Sequence, residues 1–151
     1  MATVPTPDPR PQALADLKKR RDAARALRQG LLSKIAASRG SHVVAYVTCG
    51  RANLGTAIGS DVIRTFREIL GQAGTLAKLD LFLVTRGGHT LTPLGLVSLL
   101  REFAKEVHLI VPYMAHSAGT LIALGADSIV MEAMGELRTR TKPRSTHSSK
   151  P

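Results

Sequence analysis

Two stretches decide the fold: LDLFLVTRGG (Leu79–Gly88) and LIVPYMAHSAGTLIALGADSIVM (Leu109–Met131). In the first, a strand-length aliphatic run over 79–85 leads straight into Arg86-Gly87-Gly88-His89. In the second, a run over 107–111 meets a turn over 112–116. A helix of small residues then starts at Ser117, and 129–131 reads as one more short strand. Between them a helix begins at or near Thr92 and carries Leu94, Val97, Leu100 and Phe103. Upstream, HVVAYVT (His42–Thr48) is a β-branched run suited to a buried strand, followed by a polar, Gly-rich loop over 49–59. Ser60 or Asp61 then opens a helix with Val62, Ile63, Phe66, Ile69 and Leu70 on one side. Strand and helix alternate three times, the pattern of α/β layers with a mostly parallel sheet flanked by helices. In such sheets chemistry gathers beyond the carboxyl ends of the strands, where Gly87-Gly88 and Ser117 both fall.

The chain has 151 residues, 44% hydrophobic and 21% charged, enough for one core and too apolar for wholesale disorder. No uninterrupted apolar run reaches the roughly 18 residues of a membrane span, and the longest are broken by Pro93 and Pro112. The start, MATVPTPDPRPQ, has no hydrophobic core of a secretory signal, and the single Cys49 cannot form an internal disulfide. A cytoplasmic protein is the expectation, with Cys49 a small filler or loop thiol.

A net charge of +10 would suggest nucleic acid, but its distribution argues against a basic binding face. Residues 1–29 carry +4, residues 30–137 only +1, and residues 138–151 carry +5. We expect four segments: a flexible lead-in (1–12), a basic amphipathic helix (13–37) with a break at Gly30, one α/β domain (38–137) and a disordered basic tail (138–151). The helix rests on Leu14, Leu17, Ala24, Leu27, Leu31 and Ile35, spaced by three, four and seven residues. The five aromatic residues include Phe66, Phe82 and Phe103 at core-type positions, not on a base-stacking surface.

Paired glycines after a strand allow close approach of a backbone and turn successive N–H groups toward one oxygen, although Gly-Gly is also common in ordinary turns. A serine opening a helix sits in the positive field of its N-terminus beside amides able to hold an oxyanion. The plain alternative for Ser117 is a helix N-cap. Together the two motifs resemble the ClpP/crotonase superfamily. Within it they are most similar to the serine dehydrogenase proteinase family, relatives of signal peptide peptidase A. RGSHVVAYVT (Arg39–Thr48) and residues 58–70 carry the likeness more loosely, so that it spans about residues 38–137. The resemblance implies a serine peptidase acting on peptide or protein substrates, without a metal or other cofactor, in a homo-oligomer. It implies Ser117 as nucleophile, with the N–H groups of Gly87 or Gly88 and of Ala118 stabilising the tetrahedral oxyanion.

Three departures stand out. Arg86 occupies a position where the family has proline, and His116 one where it has an apolar residue. The base, a lysine or histidine in related peptidases, comes from a segment beyond the serine helix. Here Gly135-Glu136-Leu137 is followed by RTRTKPRSTHSSKP, which has no aliphatic residue and no acid. We therefore expect the fold to be incomplete at its C-terminus and the chain truncated, by a frameshift or by divergence near Leu137. The coding DNA in the other two frames past codon 137 tests the frameshift. His89, after the glycines, and His116, expected to turn away from Ser117, are the weak candidates for a base. His42, His108, Asp61, Asp80 and Asp127 read as structural, and nothing fixes His147 or Lys150.

Ala115-His116-Ser117-Ala118-Gly119 also approximates the G-x-S-x-G elbow of α/β-hydrolases, but too little patterned chain follows for the acid and histidine. No G-x-x-x-x-G-K-[ST] loop and no metal-ligand spacing are present. The alternatives to an active peptidase are a non-catalytic remnant or oligomer partner and, less favoured, a nucleic-acid-binding module.

Overall fold

A computed structural model describes residues 10–48, 50 and 55–139. The chain forms two units, Met1–Arg39 and Gly40–Pro151. The first is one helix, α1 (Arg10–Arg39). It passes through Gly30 without a break: a mid-helix glycine costs about 1 kcal/mol, and the Ala, Leu, Lys, Arg and Gln around it favour the helix. Its start at Arg10 places the last three residues of the expected lead-in inside the helix.

The second unit runs β1 (His42–Val47), α2 (Val62–Ala73), β2 (Leu76–Val84), α3 (Thr92–Phe103), β3 (Ala104–Val111), β4 (Met114–His116), α4 (Ala118–Leu124), β5 (Ser128–Met131) and β6 (Glu136–Arg138). Strands β1, β2, β3 and β5 form one sheet in that order, every pair parallel, and β4 with β6 makes a second, two-stranded parallel sheet. The α/β class with a mostly parallel sheet, read from the alternation of the sequence, is the fold. Because the strand order never reverses, right-handed crossovers place successive helices on the same face of the sheet. α2 accordingly packs on α3, and α3 on α4.

The core follows from periodicity. Leu79, Leu81 and Leu83 of β2 and Val107, Leu109 and Val111 of β3 recur at every second position, and all six lie within 3% of full burial. Register sets Val44 opposite Leu81, and Leu81 opposite Leu109, so the three strands present one continuous aliphatic face. Helix α2 meets it through Val62, Phe66 and Leu70, four residues apart, and α3 through Leu96, Leu99 and Leu100. Gly74 ends α2 at φ +72°, its N–H returning to the Leu70 carbonyl at 3.0 Å. On the other side of β2, Asp80 is fully buried and accepts a hydrogen bond from the Ser41 hydroxyl.

Several boundaries differ from the sequence reading. β2 and β3 each begin three residues early, at Leu76 and Ala104, because those two residues pair with one another and extend the ladder backwards. The turn expected at 112–116 contains strand β4, and β6 reaches Arg138, the first residue of the expected tail. Such three-residue strands have no periodicity of their own. β4 is tied to Thr85, one residue past β2, which donates its N–H to the Met114 carbonyl (2.8 Å) and accepts from the His116 N–H (3.0 Å), and β6 pairs with β4 in turn. Residues 140–151 of the tail, with His147 and Lys150, and Cys49 lie outside the described residues.

Candidate active site

The two motifs singled out by sequence meet in space. A Cβ placed on Gly87 would stand 2.7 Å from the Ser117 Cβ, 3.2 Å from its Oγ and 2.9 Å from the His116 carbonyl. Gly87 itself is at φ +106°, so both its backbone and its contact with Ser117 call for glycine. Gly88 is equally constrained on its other side, where a Cβ would lie 2.3 Å from the Ile58 carbonyl oxygen. That approach is a single parallel bridge: the Ile58 N–H donates to the Gly87 carbonyl (2.9 Å) and the His89 N–H to the Ile58 carbonyl (2.8 Å).

Ser117 occupies the turn from β4 into α4 at φ +52°, ψ −113°, and among the described residues it is the one non-glycine at positive φ. Such a conformation costs an L-residue roughly 1–3 kcal/mol and persists only where its surroundings impose it. Here they do. The Ser117 N–H donates to the Arg138 carbonyl at 2.7 Å, and the Ser117 carbonyl accepts from Leu121 at 3.1 Å. The Thr120 hydroxyl donates to the Ala115 carbonyl (2.8 Å) and accepts from the Arg138 N–H (3.1 Å), tying α4, β4 and β6 together around the serine. Although Ser117 stands at the N-cap position, its side chain makes no capping hydrogen bond. The plain alternative for this residue is therefore not what the structure shows.

Gly119 explains how the helix comes so near the sheet. A Cβ there would fall 2.5 Å from Thr85 Cγ2 and 3.2 Å from the Ala115 Cβ, so α4 rests directly on the end of β2. Ala118, at the first helical position, is fully buried. Its N–H belongs to the first turn, whose amides have no partner four residues back.

The two glycine amides are not equivalent. The Gly87 N–H already donates to Thr85 Oγ1 at 3.0 Å, a bond reinforced by the Thr48 hydroxyl, which donates to the same oxygen at 2.8 Å. The Gly87 N–H is thus already paired inside the protein. Gly88 instead lines an open cleft of about 740 Å³ together with Arg86, Met114, His116, Ser117, Arg138 and Thr139.

His116 also lines that cleft. Strand alternation puts residues 114 and 116 on the same side, and both line the cleft. Its Nε2 is 2.9 Å from Glu136 Oε2, a carboxylate supplied by β6. His89 is exposed and its Nδ1 lies 3.4 Å from the Thr92 hydroxyl, outside the cleft lining. Among the described residues no side chain hydrogen-bonds the Ser117 hydroxyl. A histidine–serine contact does occur elsewhere: His108 Nδ1 meets Ser128 Oγ, with Nε2 3.2 Å from Glu106, as a cross-strand pair of β3 and β5 outside the cleft lining.

Asp127 and Tyr46, both outside the cleft lining, titrate away from their ordinary values. The Asp127 carboxyl is lowered, first by the Val107 N–H it accepts at 2.7 Å and then by Arg101 at 2.8 Å. The Tyr46 hydroxyl is raised, first by burial and then by Asp61. Among the described residues no cluster of three His, Cys, Asp or Glu side chains could hold a metal ion, and no helix is long and apolar enough to cross a membrane.

The sequence reading missed Thr85, Thr120, Glu136 and the backbone of Arg138, which hold the serine and its neighbours in place. Thr85 had a signal, standing between a strand and two glycines. The other three act through pairings that only β4 and β6 create.

At the strand ends of a parallel sheet, a Gly-Gly loop thus packs against a serine held at positive φ at a helix start, on a ClpP-like α/β fold. The model of the ClpP-like SDH-type serine proteinases matches residues 14–138, and the chain belongs to that family. It is also 43% identical over 54 residues to an uncharacterized protein of Methanocaldococcus jannaschii, a match covering 36% of this chain and 19% of that protein.

Proposed function

We propose that this chain cleaves peptide bonds by acyl transfer through Ser117. The observation that carries the reading is the backbone of Ser117, held at positive φ with its hydroxyl uncommitted and packed against Gly87. In this reading Ser117 Oγ attacks the carbonyl carbon of the scissile bond. The oxygen, as it becomes negative, is received by the N–H groups of Gly88 and Ala118, donors fixed in advance by the Ile58 bridge and by α4. The Ser117 proton passes to a base and from there to the leaving amine, and water then releases the acyl group by the same steps.

His116 is the described side chain that best suits the base. It shares the cleft with Ser117, and a carboxylate on Nε2 is the partner that fixes a tautomer and stabilises an imidazolium. Its Nδ1 has no hydrogen bond among the described residues, and catalytic contacts often close only around substrate. A side chain of a second copy is the other source of a base, in keeping with the homo-oligomer we propose for the working protein.

The test is the intact mass of the chain after exposure to a fluorophosphonate. A single adduct on the wild type, absent from Ser117→Ala and formed more slowly by His116→Ala, is the expected result. A folded wild type that takes no adduct refutes the assignment of Ser117 as an activated nucleophile.

A further inference from the structure

The cleft beside Ser117 carries more positive charge than hydrolysis of a peptide bond requires. Arg86 and Arg138 both line it, and neither forms an ion pair among the described residues. The carboxylate nearest in sequence, Glu136, is taken by His116. Arg138 is anchored by its backbone, giving its N–H to Thr120 and taking the Ser117 N–H on its carbonyl. The Arg86 side chain lies across Gly50, with Nε 2.7 Å from where a Cβ at that position would be. Two arginines among the lining residues of one open cleft, with Met114 as an apolar contact, bring charge and planar donors suited to a planar anion beside Ser117.

We propose that Arg86 and Arg138 select peptides bearing a carboxylate close to the bond presented to Ser117, so that the cleft favours acidic substrates. This rests on the hydrolytic reading and names its substrate class. The carboxylate is either an acidic side chain or the C-terminus of the peptide. In both cases it would supply the negative charge the cleft lacks and fix the peptide's register relative to the serine.

The test measures binding separately from chemistry. Full-length Ser117→Ala protein is titrated calorimetrically at about 150 mM salt, where the Debye length of about 8 Å mutes distant charges. Three peptides share one neutral sequence: one with a central Glu and an amidated C-terminus, one with Gln in its place, and the Gln peptide with a free C-terminus. One of the two carboxylate peptides should bind roughly tenfold more tightly than the neutral one, as expected for two exposed charge pairs. Which of them gains identifies the source of the carboxylate. Arg86→Gln with Arg138→Gln should abolish the preference. Lys18→Gln with Lys19→Gln, in the equally basic α1, should leave it intact. Equal binding of all three peptides, no binding of any, or a preference that survives loss of both arginines overturns the proposal. The failure is distinct from that of the hydrolytic reading: a Ser117 adduct without carboxylate preference sinks this inference alone, and carboxylate preference without an adduct sinks the chemistry.

Discussion

Replacing Ser117 by glycine should stabilise the protein relative to replacing it by alanine, the reverse of what helices and strands ordinarily show. Both variants lose the hydroxyl, so the comparison is blind to activity and reads only the backbone. At φ +52° an alanine keeps the steric penalty of the left-handed half of the map, about 1–2 kcal/mol, and glycine escapes it. Against that, glycine widens the unfolded ensemble at a cost of about 0.4–1 kcal/mol. The difference leaves Ser117→Gly ahead by about 1 kcal/mol, or about 4 °C in Tm for a domain of this size. Ser98, exposed in the middle of α3, is the internal reference. There alanine should beat glycine by about 1 kcal/mol, since helix propensity alone decides. Thermal and urea unfolding of the four variants give the result. Alanine more stable than glycine at both positions would mean that Ser117 is not held in the strained turn, and the account of the site as built around it would fall.

Two further outcomes follow from contacts around the site and the sheet. Gly119→Ala puts a methyl 2.5 Å from Thr85 Cγ2; overpacking of about 1–3 kcal/mol should exceed the helix propensity gained, lowering Tm and slowing fluorophosphonate labelling, and an unchanged Tm would show that α4 does not rest on the end of β2. Asp127→Asn should destabilise the protein at neutral pH but not in acid. The folded state holds the Asp127 carboxyl below its unfolded value near 3.9, so its contribution is complete above that value and disappears as pH falls through the depressed native one. Urea unfolding of wild type and variant at pH 7 and at about pH 2 should show a gap that closes, and a gap independent of pH would remove the Val107 and Arg101 contacts as its cause.

Much of the scaffold was legible because it is built from repeated local patterns. Leu79, Leu81 and Leu83 announce a strand by alternation, and Val62, Phe66 and Leu70 a helix by their spacing of four. The glycines could be read as sites of close approach, and Gly87, Gly88 and Gly119 each meet another backbone or side chain where a Cβ would not fit. Gly30 shows the limit of that reasoning, for nothing stands within 4 Å of it and the helix continues through it. Likewise β4 and β6 are too short to have a period, and Arg138, read as the first residue of a tail, closes a strand against residues 22 positions before it, since His116 is its register partner.

By itself the sequence determined the α/β class, the order of the main strands and helices, and the pairing of a Gly-Gly loop with a serine at a helix start. Those are properties of residue type and spacing along the chain, and burial of a repeating apolar face enforces them locally. Only the tertiary structure decided that the Gly87 N–H is paired with Thr85, which histidine shares the cleft with Ser117, and why the serine stays at positive φ. Each of these depends on hydrogen bonds from Thr85, Thr120, Glu136 and Arg138, groups up to 53 residues apart, between Thr85 and Arg138, that no local pattern brings together.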